Sequence, residues 1–175
     1  MDTARIEQRF RRVYEENYRL VYAYALRRLG DPSEAQDVAA EVFLVAWRRF
    51  ENAPAVNEEV PIWLYAIGRR VVSNHRRSQD RRLRLIARLA DANRNDLTTD
   101  DGDNLRDSSR AVLRALARLR DDDREVLLLA AWEQLSTKEI AEALDCSENA
   151  AALRLHRARK RLTDVYKKEI VASGH

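Results

Sequence analysis

The sequence predicts an all-α protein of two small helical domains joined by a flexible acidic linker, the second domain being a helix-turn-helix. Apolar residues recur at helical spacing over most of the 175 residues, and only four residues are glycine. Acidic residues concentrate in a short middle segment between two halves in which basic residues outnumber acidic ones. We therefore expect domains over residues 1–90 and 108–175, with a linker over residues 91–107.

The first domain opens with a long helix predicted over residues 3–29, whose apolar residues form one broad face. Gly30 is predicted to end this helix, because glycine readily takes the left-handed conformation common at helix C-termini. Asp31 is predicted to cap the next helix, with Pro32 in its first position and Glu34 three residues past the cap.

The second helix is expected to reach about Phe50 and to have two different faces. One side is an apolar stripe that is typical of a surface facing the core. The opposite side carries charges around one hydrophobic residue: Asp37, Glu41, Leu44 and Arg48. Leu44 is either an ordinary exposed leucine or the apolar anchor of a face that docks on a partner's helices.

A loop over residues 51–60 is predicted to precede a third helix that starts near Pro61. The first turns of this helix are apolar and aromatic. Trp63 and Tyr65 are candidates either for the core or for stacking on unpaired bases. Arginines then dominate from Arg69 to Arg88, with a single acidic residue among them. Such a density of positive charge suits a polyanionic partner.

Four helices are predicted in the second domain. The first of them begins at Ser108, and four of its residues are expected to face inward: Val112, Leu113, Leu116 and Leu119. Three aspartates, Asp121–Asp123, are predicted to cap the second helix, since negative charge suits the positive end of a helix dipole.

The last two helices, within residues 136–162, are predicted to form the helix-turn-helix. Ser136 and Glu139 have the spacing of a capping box, and Asp145–Ser147 is predicted to form the corner, with Ser147 capping the final helix. The final helix turns one stripe inward: Ala151, Leu155, Ala158 and Leu162. Its other sides are basic almost without acidic residues. Charged helical hairpins can be merely solvated, but this concentration of charge favours insertion into a DNA major groove.

Several other classes of protein are disfavoured. The single cysteine, Cys146, excludes an internal disulfide and a cysteine-rich metal site, and we expect it to act as a small buried hydrophobe. No apolar run approaches the roughly 20 residues that span a bilayer, so we expect a cytoplasmic protein without membrane insertion. The three histidines, His75, His156 and His175, have no partner at metal-ligand spacing and are interpreted as phosphate-facing or solvated. We expect no cofactor and no enzymatic activity.

The order of these segments resembles the extracytoplasmic-function, or group IV, sigma factors of bacterial RNA polymerase. DPSEAQDVAAEVFLVAWRRF is similar to the family pattern DxxdAeDlvQetFlraW of sigma region two, and PIWLYAIGRRVVSNHRR is similar to WLyrIArNvalDhlRr. The stretch from LRALARLRDDD to RLHRARKRL resembles sigma region four. The resemblance covers nearly the whole chain.

The resemblance implies a protein that binds core RNA polymerase and directs promoter-specific transcription initiation, often under the control of an anti-sigma factor. It assigns the outer face of the second helix to the polymerase: Asp37, Glu41, Leu44 and Arg48. It assigns recognition and opening of the minus-10 element to the first domain, for which the candidates are Asn57, Trp63, Arg69, Arg70, Asn74, Arg76, Arg77 and Arg81. It assigns the minus-35 element to the last helix, through Asn149, Ala152, Leu153, Arg154, His156, Arg157, Arg159 and Lys160.

The chain departs from the family pattern at places that bear on base recognition. Arg70 stands where the family usually has asparagine, and Asn74 where it often has aspartate. The loop usually written FrGes is AVNEEV, and the common TVKSR of the recognition helix is AAALR. That helix therefore has fewer polar side chains that can recognise bases. We expect contact with a thymine methyl through Ala152 or Leu153, together with DNA shape, to replace them.

Two other functions fit parts of the pattern. A helix-turn-helix regulator of the response-regulator type shares the C-terminal helices, but it needs a receiver or ligand domain, and residues 1–90 show no alternating strand pattern. A helical adaptor that binds only proteins fits the helical composition, but the two arginine-dense stretches argue against it.

Overall fold

The computed structural model describes the backbone of residues 3–89 and 107–173 and the side chains of residues 3–81 and 112–168. Every regular element in these ranges is helical, as the sequence predicts. The chain divides into two compact units, residues 1–95 and 96–175. The predicted linker, residues 91–107, falls almost entirely outside the described residues.

The first unit contains three α-helices: α1 (Thr3–Leu29), α2 (Pro32–Arg48) and α3 (Val60–Leu89). Each helix packs against the other two. The predicted end of α1 at Gly30 and the predicted cap of α2 by Asp31 are both confirmed. Gly30 has a φ of 77° and donates its N–H to the Leu26 carbonyl at 2.8 Å, and the Asp31 carboxylate accepts the Glu34 N–H at 2.8 Å. The chain therefore reverses between α1 and α2 in two residues.

The second helix ends two residues before the expected Phe50. A 3-10 turn, Phe50–Asn52, follows it, and a second 3-10 turn, Asn57–Glu59, leads into α3. The predicted loop over residues 51–60 is thus partly ordered into short turns. Phe50 is buried and forms edge contacts with Phe10 of α1, with ring centroids 5.1 Å apart. Its burial anchors the start of the loop to α1.

Alanines on α2 and a glycine on α3 allow the first unit to pack closely. Ala35, Ala39 and Ala46 of α2 are fully buried. A Cβ atom on Gly68 of α3 would lie 3.0 Å from the Tyr24 ring, so only glycine lets α3 pass this side chain without displacement. Tyr65 packs in the core with its ring 5.1 Å from Tyr24, which makes the alternative of base stacking by Tyr65 wrong.

The second unit contains α4 (Asp107–Ala117), α5 (Asp121–Ala131), α6 (Thr137–Leu144) and α7 (Glu148–Ser173). The prediction for α4 is wrong at two positions: Val112 is 36% exposed and Leu113 is 47% exposed. Leu116, Leu119 and the neighbouring Ala115 form the buried stripe instead. Among the described side chains of α4 and its C-terminal end, the buried ones thus begin at Ala115, and α7 is a helix that packs against α4.

The aspartates at the start of α5 lie in its first turn and do not cap it. Arg120 occupies the cap position without a side-chain hydrogen bond. The connection is closed by Arg124, whose guanidinium donates to three carbonyl groups at the end of α4: Leu116 at 2.9 Å, Ala117 at 2.8 Å and Leu119 at 3.0 Å. Arg124 therefore satisfies carbonyl groups at the C-terminal end of α4, whereas the N-terminus of α5 has no side-chain cap.

Replacement of Gln134 by glycine is expected to stabilise the second unit. Gln134 has a φ of 56°, a conformation that costs a side-chain-bearing residue about 1–2 kcal/mol, whereas the added chain entropy of glycine costs roughly 0.5–1 kcal/mol. We expect Gln134→Gly to raise the free energy of unfolding by up to about 1 kcal/mol in urea denaturation. Asp145→Gly, at a φ of 54°, is the matched comparison and should gain less, since aspartate tolerates this region better. A loss of stability in Gln134→Gly would contradict the argument.

Candidate nucleic-acid and protein interfaces

The outer face of α2 is fully available to a partner. Its four candidate residues, Asp37, Glu41, Leu44 and Arg48, are all exposed, and Leu44 is 48% exposed. The opposite side of the helix is buried from Ala35 to Ala46. One helix therefore presents an apolar residue ringed by charges on the side away from the core.

The arginines of α3 lie in different environments. Arg70, Arg77 and Arg81 are exposed, whereas Arg69 and Arg76 are half-buried. Arg76 donates to the Arg28 carbonyl at the end of α1, which ties the two helices together. Arg77 donates to the Asn74 side chain at 2.9 Å and to the Ser73 carbonyl at 3.3 Å. Arg76 thus has a structural contact besides its predicted role, and Asn74 and Arg77 form one local pair.

The remaining minus-10 candidates border the loop between α2 and α3. Asn57 is exposed at the start of the second 3-10 turn, and Trp63 is half-buried in the first turns of α3. Arg9 of α1 donates to the Pro54 carbonyl, so the loop is fixed to α1 as well as to its own flanking helices. The loop is a constrained surface on which Asn57 is accessible.

The helix-turn-helix has the predicted start and a closed corner, but its second helix, α7, continues to Ser173, beyond the predicted end at Leu162. Asp145 has a φ of 54°, Cys146 donates its N–H to the Ala141 carbonyl at 3.0 Å, and Asp145 donates to Glu142 at 3.2 Å. This pair of bonds is a Schellman motif, which ends α6 within one residue. The Ser147 hydroxyl then accepts the Ala150 N–H at 3.2 Å and caps α7, as predicted.

The outer face of α7 is exposed throughout its predicted DNA-binding stretch. All eight candidates are exposed, namely Asn149, Ala152, Leu153, Arg154, His156, Arg157, Arg159 and Lys160. Ala151 and Ala158 are fully buried on the opposite side, and Leu155 is buried beside them. The helix thus has a small-residue core stripe and a basic outer surface that no element within the described ranges covers.

A buried carboxylate holds α7 at a fixed position on α5. Arg161 donates through Nη1 to both carboxylate oxygens of Asp123, at 2.7 Å each, and Arg120 lies 3.4 Å from the same group. Asp123 is buried, so it needs these partners. Arg161 directly follows Lys160 of the DNA-binding candidates, but its contacts with Asp123 make it a positioning residue for that helix.

Comparison with known proteins identifies both units. Residues 13–82 match the family model for sigma-70 region 2, and residues 109–162 match the model for sigma-70 region 4. The ECF RNA polymerase sigma factor SigL of Mycobacterium tuberculosis is 30% identical over 149 residues, which cover 85% of this chain and 83% of SigL. The chain belongs to the extracytoplasmic-function sigma factors.

A second relative supports this assignment, and two solved structures share the fold. The sigma factor BldN of Streptomyces coelicolor is 30% identical over 150 residues, covering 85% of this chain and 57% of BldN. The sigma factor RpoE of Bartonella quintana, solved with the anti-sigma factor NepR, has a TM-score of 0.63 at 21% identity and covers 91% of this chain and 98% of its own. CnrH, solved with the cytosolic domain of CnrY, has a TM-score of 0.59 at 24% identity, covering 93% and 90%. These two structures show that the fold is shared.

As a member of this family, the protein is a polymerase-binding sigma factor for promoter recognition. No helix in the described part of this sigma factor is both long and apolar enough to cross a membrane.

Two features of the sigma factor escaped the sequence pattern. Trp47 is 40% exposed beside Leu44 on α2, and its ring lies 4.9 Å from that of Phe10. It falls between the core stripe and the outer face, so periodicity alone does not place it. His75 lies 3.3 Å from the Glu34 carboxylate, so the interpretation of this histidine as phosphate-facing or solvated is wrong. His156 is exposed, and His175 lies outside the described residues.

The capping box of α6 makes the stability of the helix-turn-helix depend on pH. Hydrogen bonds from the Ser136 hydroxyl, at 2.6 Å, and from its backbone N–H, at 2.7 Å, lower the pKa of Glu139 below its ordinary value of 4.5. A lowered pKa in the folded state means that the stabilisation is present above pH 4.5 and is lost as the pH falls through the pKa of the folded state.

Replacement of Ser136 by alanine is expected to lower the free energy of unfolding at neutral pH by about 1 kcal/mol, because the cap of α6 is lost. The difference from the parent protein should shrink as the pH falls below 4.5, where Glu139 becomes protonated in both proteins. Urea denaturation across this pH range measures both effects. Glu139→Gln, which keeps an acceptor but cannot titrate, is the control. A difference that stays constant with pH would refute the contribution of the Glu139 carboxylate to the cap.

Proposed function

We propose that this sigma factor docks on core RNA polymerase through the outer face of α2 and then holds promoter DNA with both units. Leu44 is the apolar anchor of that face, and Asp37, Glu41 and Arg48 set its orientation through charge. The observation that supports this assignment is the exposure of all four side chains opposite a stripe that is buried along the helix. We assign the contact to the clamp helices of the largest polymerase subunit, following the resemblance.

The outer face of α7 is proposed to enter the major groove of the minus-35 element. Arg154, Arg157, Arg159 and Lys160 are exposed cations that can contact phosphates on either side of the groove. Leu153, which is 47% exposed, and Ala152 lie between them and can contact thymine methyl groups. The ion pair between Arg161 and Asp123 holds this surface at a fixed angle to the rest of the unit.

The basic stretch of α3 and the loop that precedes it are proposed to hold the minus-10 element. The exposed Arg70, Arg77 and Arg81 lie on one helix and can follow the phosphates at the upstream edge of the element. Asn57 lies at the loop, where an extruded base can be captured, and Trp63 lies in the helix turns that follow. Capture of that base offsets the cost of unstacking and favours strand opening.

Regulation and location are proposed from the usual pattern of the family. The neighbouring structures of RpoE and CnrH contain NepR and the cytosolic domain of CnrY, respectively. We propose that this chain is likewise held by an anti-sigma factor that covers its polymerase-binding surface, and that it acts in the cytoplasm. Its role is binding and positioning, without covalent chemistry of its own.

Reconstitution tests the proposal directly. The purified chain should co-elute with core RNA polymerase and should then support run-off transcription from its own promoters, whereas core polymerase alone should not. A chain that shifts DNA in gels without polymerase and yields no transcript would instead be a helix-turn-helix regulator. A chain that binds neither polymerase nor DNA would be an adaptor.

Two cations of α7 should contribute to binding without setting its sequence preference. Arg157→Ala/Lys160→Ala is expected to weaken promoter binding by the polymerase-bound sigma factor and to reduce the slope of log affinity against log salt by about 1.8, because two duplex phosphate contacts are lost. Fluorescence anisotropy at several salt concentrations measures this slope. Lys167→Ala/Lys168→Ala removes the same charge from exposed positions further along α7 and should change it little. Equal effects in the two double variants would remove Arg157 and Lys160 from the interface.

A further inference from the structure

A basic groove lies in the first unit, where the first turns of α1 meet the 3-10 turn that follows α2. Its volume is about 650 Å³. Its lining includes Arg5, Ile6, Arg9, Arg12, Phe50 and Glu51. Glu51 is the first residue of the loop over residues 51–60, but none of the three arginines of the lining belongs to a surface assigned above to the polymerase, the minus-10 element or the minus-35 element.

The charge of the groove favours an anionic occupant. Arg5, Arg9 and Arg12 recur at the spacing that places side chains on one side of a helix, and Glu51 is the single acidic residue of the lining. Arg5 and Arg12 are exposed, and neither forms an ion pair within the described side chains. Arg5 and Arg12 can therefore bind an anion, and Ile6 and the buried Phe50 form the apolar part of the lining.

Arg9 joins the groove to the loop that carries Asn57. Its guanidinium lies 5.1 Å from the centroid of the Phe50 ring, and it donates to the Pro54 carbonyl. The loop proposed to capture an extruded base is thus attached to the wall of the groove. A strand held by the loop has the groove as its nearest basic surface on the α1 side.

The order of the surfaces along α1 gives the strand a direction. Arg76 of α3 contacts the carbonyl of Arg28, whereas Arg9 contacts the loop, and 19 residues of helix between Arg9 and Arg28 span about 28 Å. The basic stretch of α3 therefore lies towards one end of α1 and the groove towards the other. A strand that leaves the duplex on α3 reaches the groove after the loop, which is the downstream side.

The side chains of the lining indicate which kind of anion the groove can bind. Guanidinium groups bind the phosphates of a nucleotide, and apolar and aromatic side chains beside them can contact its planar base.

We propose that this groove binds the unpaired promoter strand immediately downstream of the minus-10 bases held by the loop, with Arg5 and Arg12 on its phosphates. This inference rests on the proposed function, because it takes the loop over residues 51–60 as the place where the strand is captured. The groove then adds contacts to the opened strand beyond the minus-10 element. These contacts favour the open state over reannealing.

The test uses the full chain bound to core polymerase and two fork-shaped promoter DNAs. The DNAs are identical through the minus-10 element, but the unpaired strand stops there in the short fork and continues for several nucleotides in the long fork. Arg5→Ala/Arg12→Ala is expected to lose about tenfold in affinity for the long fork and to keep parent affinity for the short fork. Its salt slope on the long fork should fall by about 1.4, the value for two single-strand phosphate contacts.

The control is Arg11→Ala/Arg19→Ala, which removes the same charge from exposed positions of α1 outside the groove lining and should match the parent on both forks. Unchanged binding of the long fork by Arg5→Ala/Arg12→Ala, or an equal loss on both forks, would overturn the proposal. So would weakened binding to core polymerase with DNA affinity intact, which would assign the groove to a polymerase segment. Binding of the short fork by the parent protein tests the proposed function independently.

Discussion

Close helix crossings through alanine are the constraint on which the rest of the structure depends. Ala35, Ala39 and Ala46 of α2 and Ala151 and Ala158 of α7 are fully buried, so methyl side chains form part of the buried stripe of each helix. Such contacts bring helix backbones close together and need only a narrow stripe of each helix. In units this small, the narrow stripe is enough for the core, and the opposite side of the same helix remains available to a partner.

This division explains why the surfaces assigned to partners lie on helices that also build the core. On α2 the charged residues around Leu44 face away from the buried alanines, and on α7 the basic residues around Leu153 do the same. The partner surfaces are held as firmly as the core itself. On α7 the pair between Arg161 and the buried Asp123 adds a second attachment. Because the helices that carry these side chains are already ordered, binding costs little conformational entropy of the backbone, which favours affinity.

Local chemistry made most of the fold predictable from the sequence. Gly30, Asp31, Ser136 and Ser147 act within three or four residues, so their roles at helix ends follow from sequence spacing alone. The errors concern which side a neighbour covers or which distant group a side chain reaches. Val112 and Leu113 belong to a regular apolar pattern but are exposed. Arg124, Arg161 and His75 find carbonyl or carboxylate partners on other helices, and only the tertiary arrangement determines those contacts.

The neighbouring alanines 151 and 152 allow the most direct test of this division of α7. Ala151 is fully buried and Ala152 is exposed, so the same substitution probes the core stripe and the partner face one residue apart. The measurement is the unfolding free energy of each leucine variant together with the promoter affinity of its polymerase complex. Ala151→Leu should lose about 1–3 kcal/mol of stability through overpacking, whereas Ala152→Leu should keep parent stability and change promoter affinity. Equal destabilisation by both, or parent-like promoter binding by Ala152→Leu, would contradict the account.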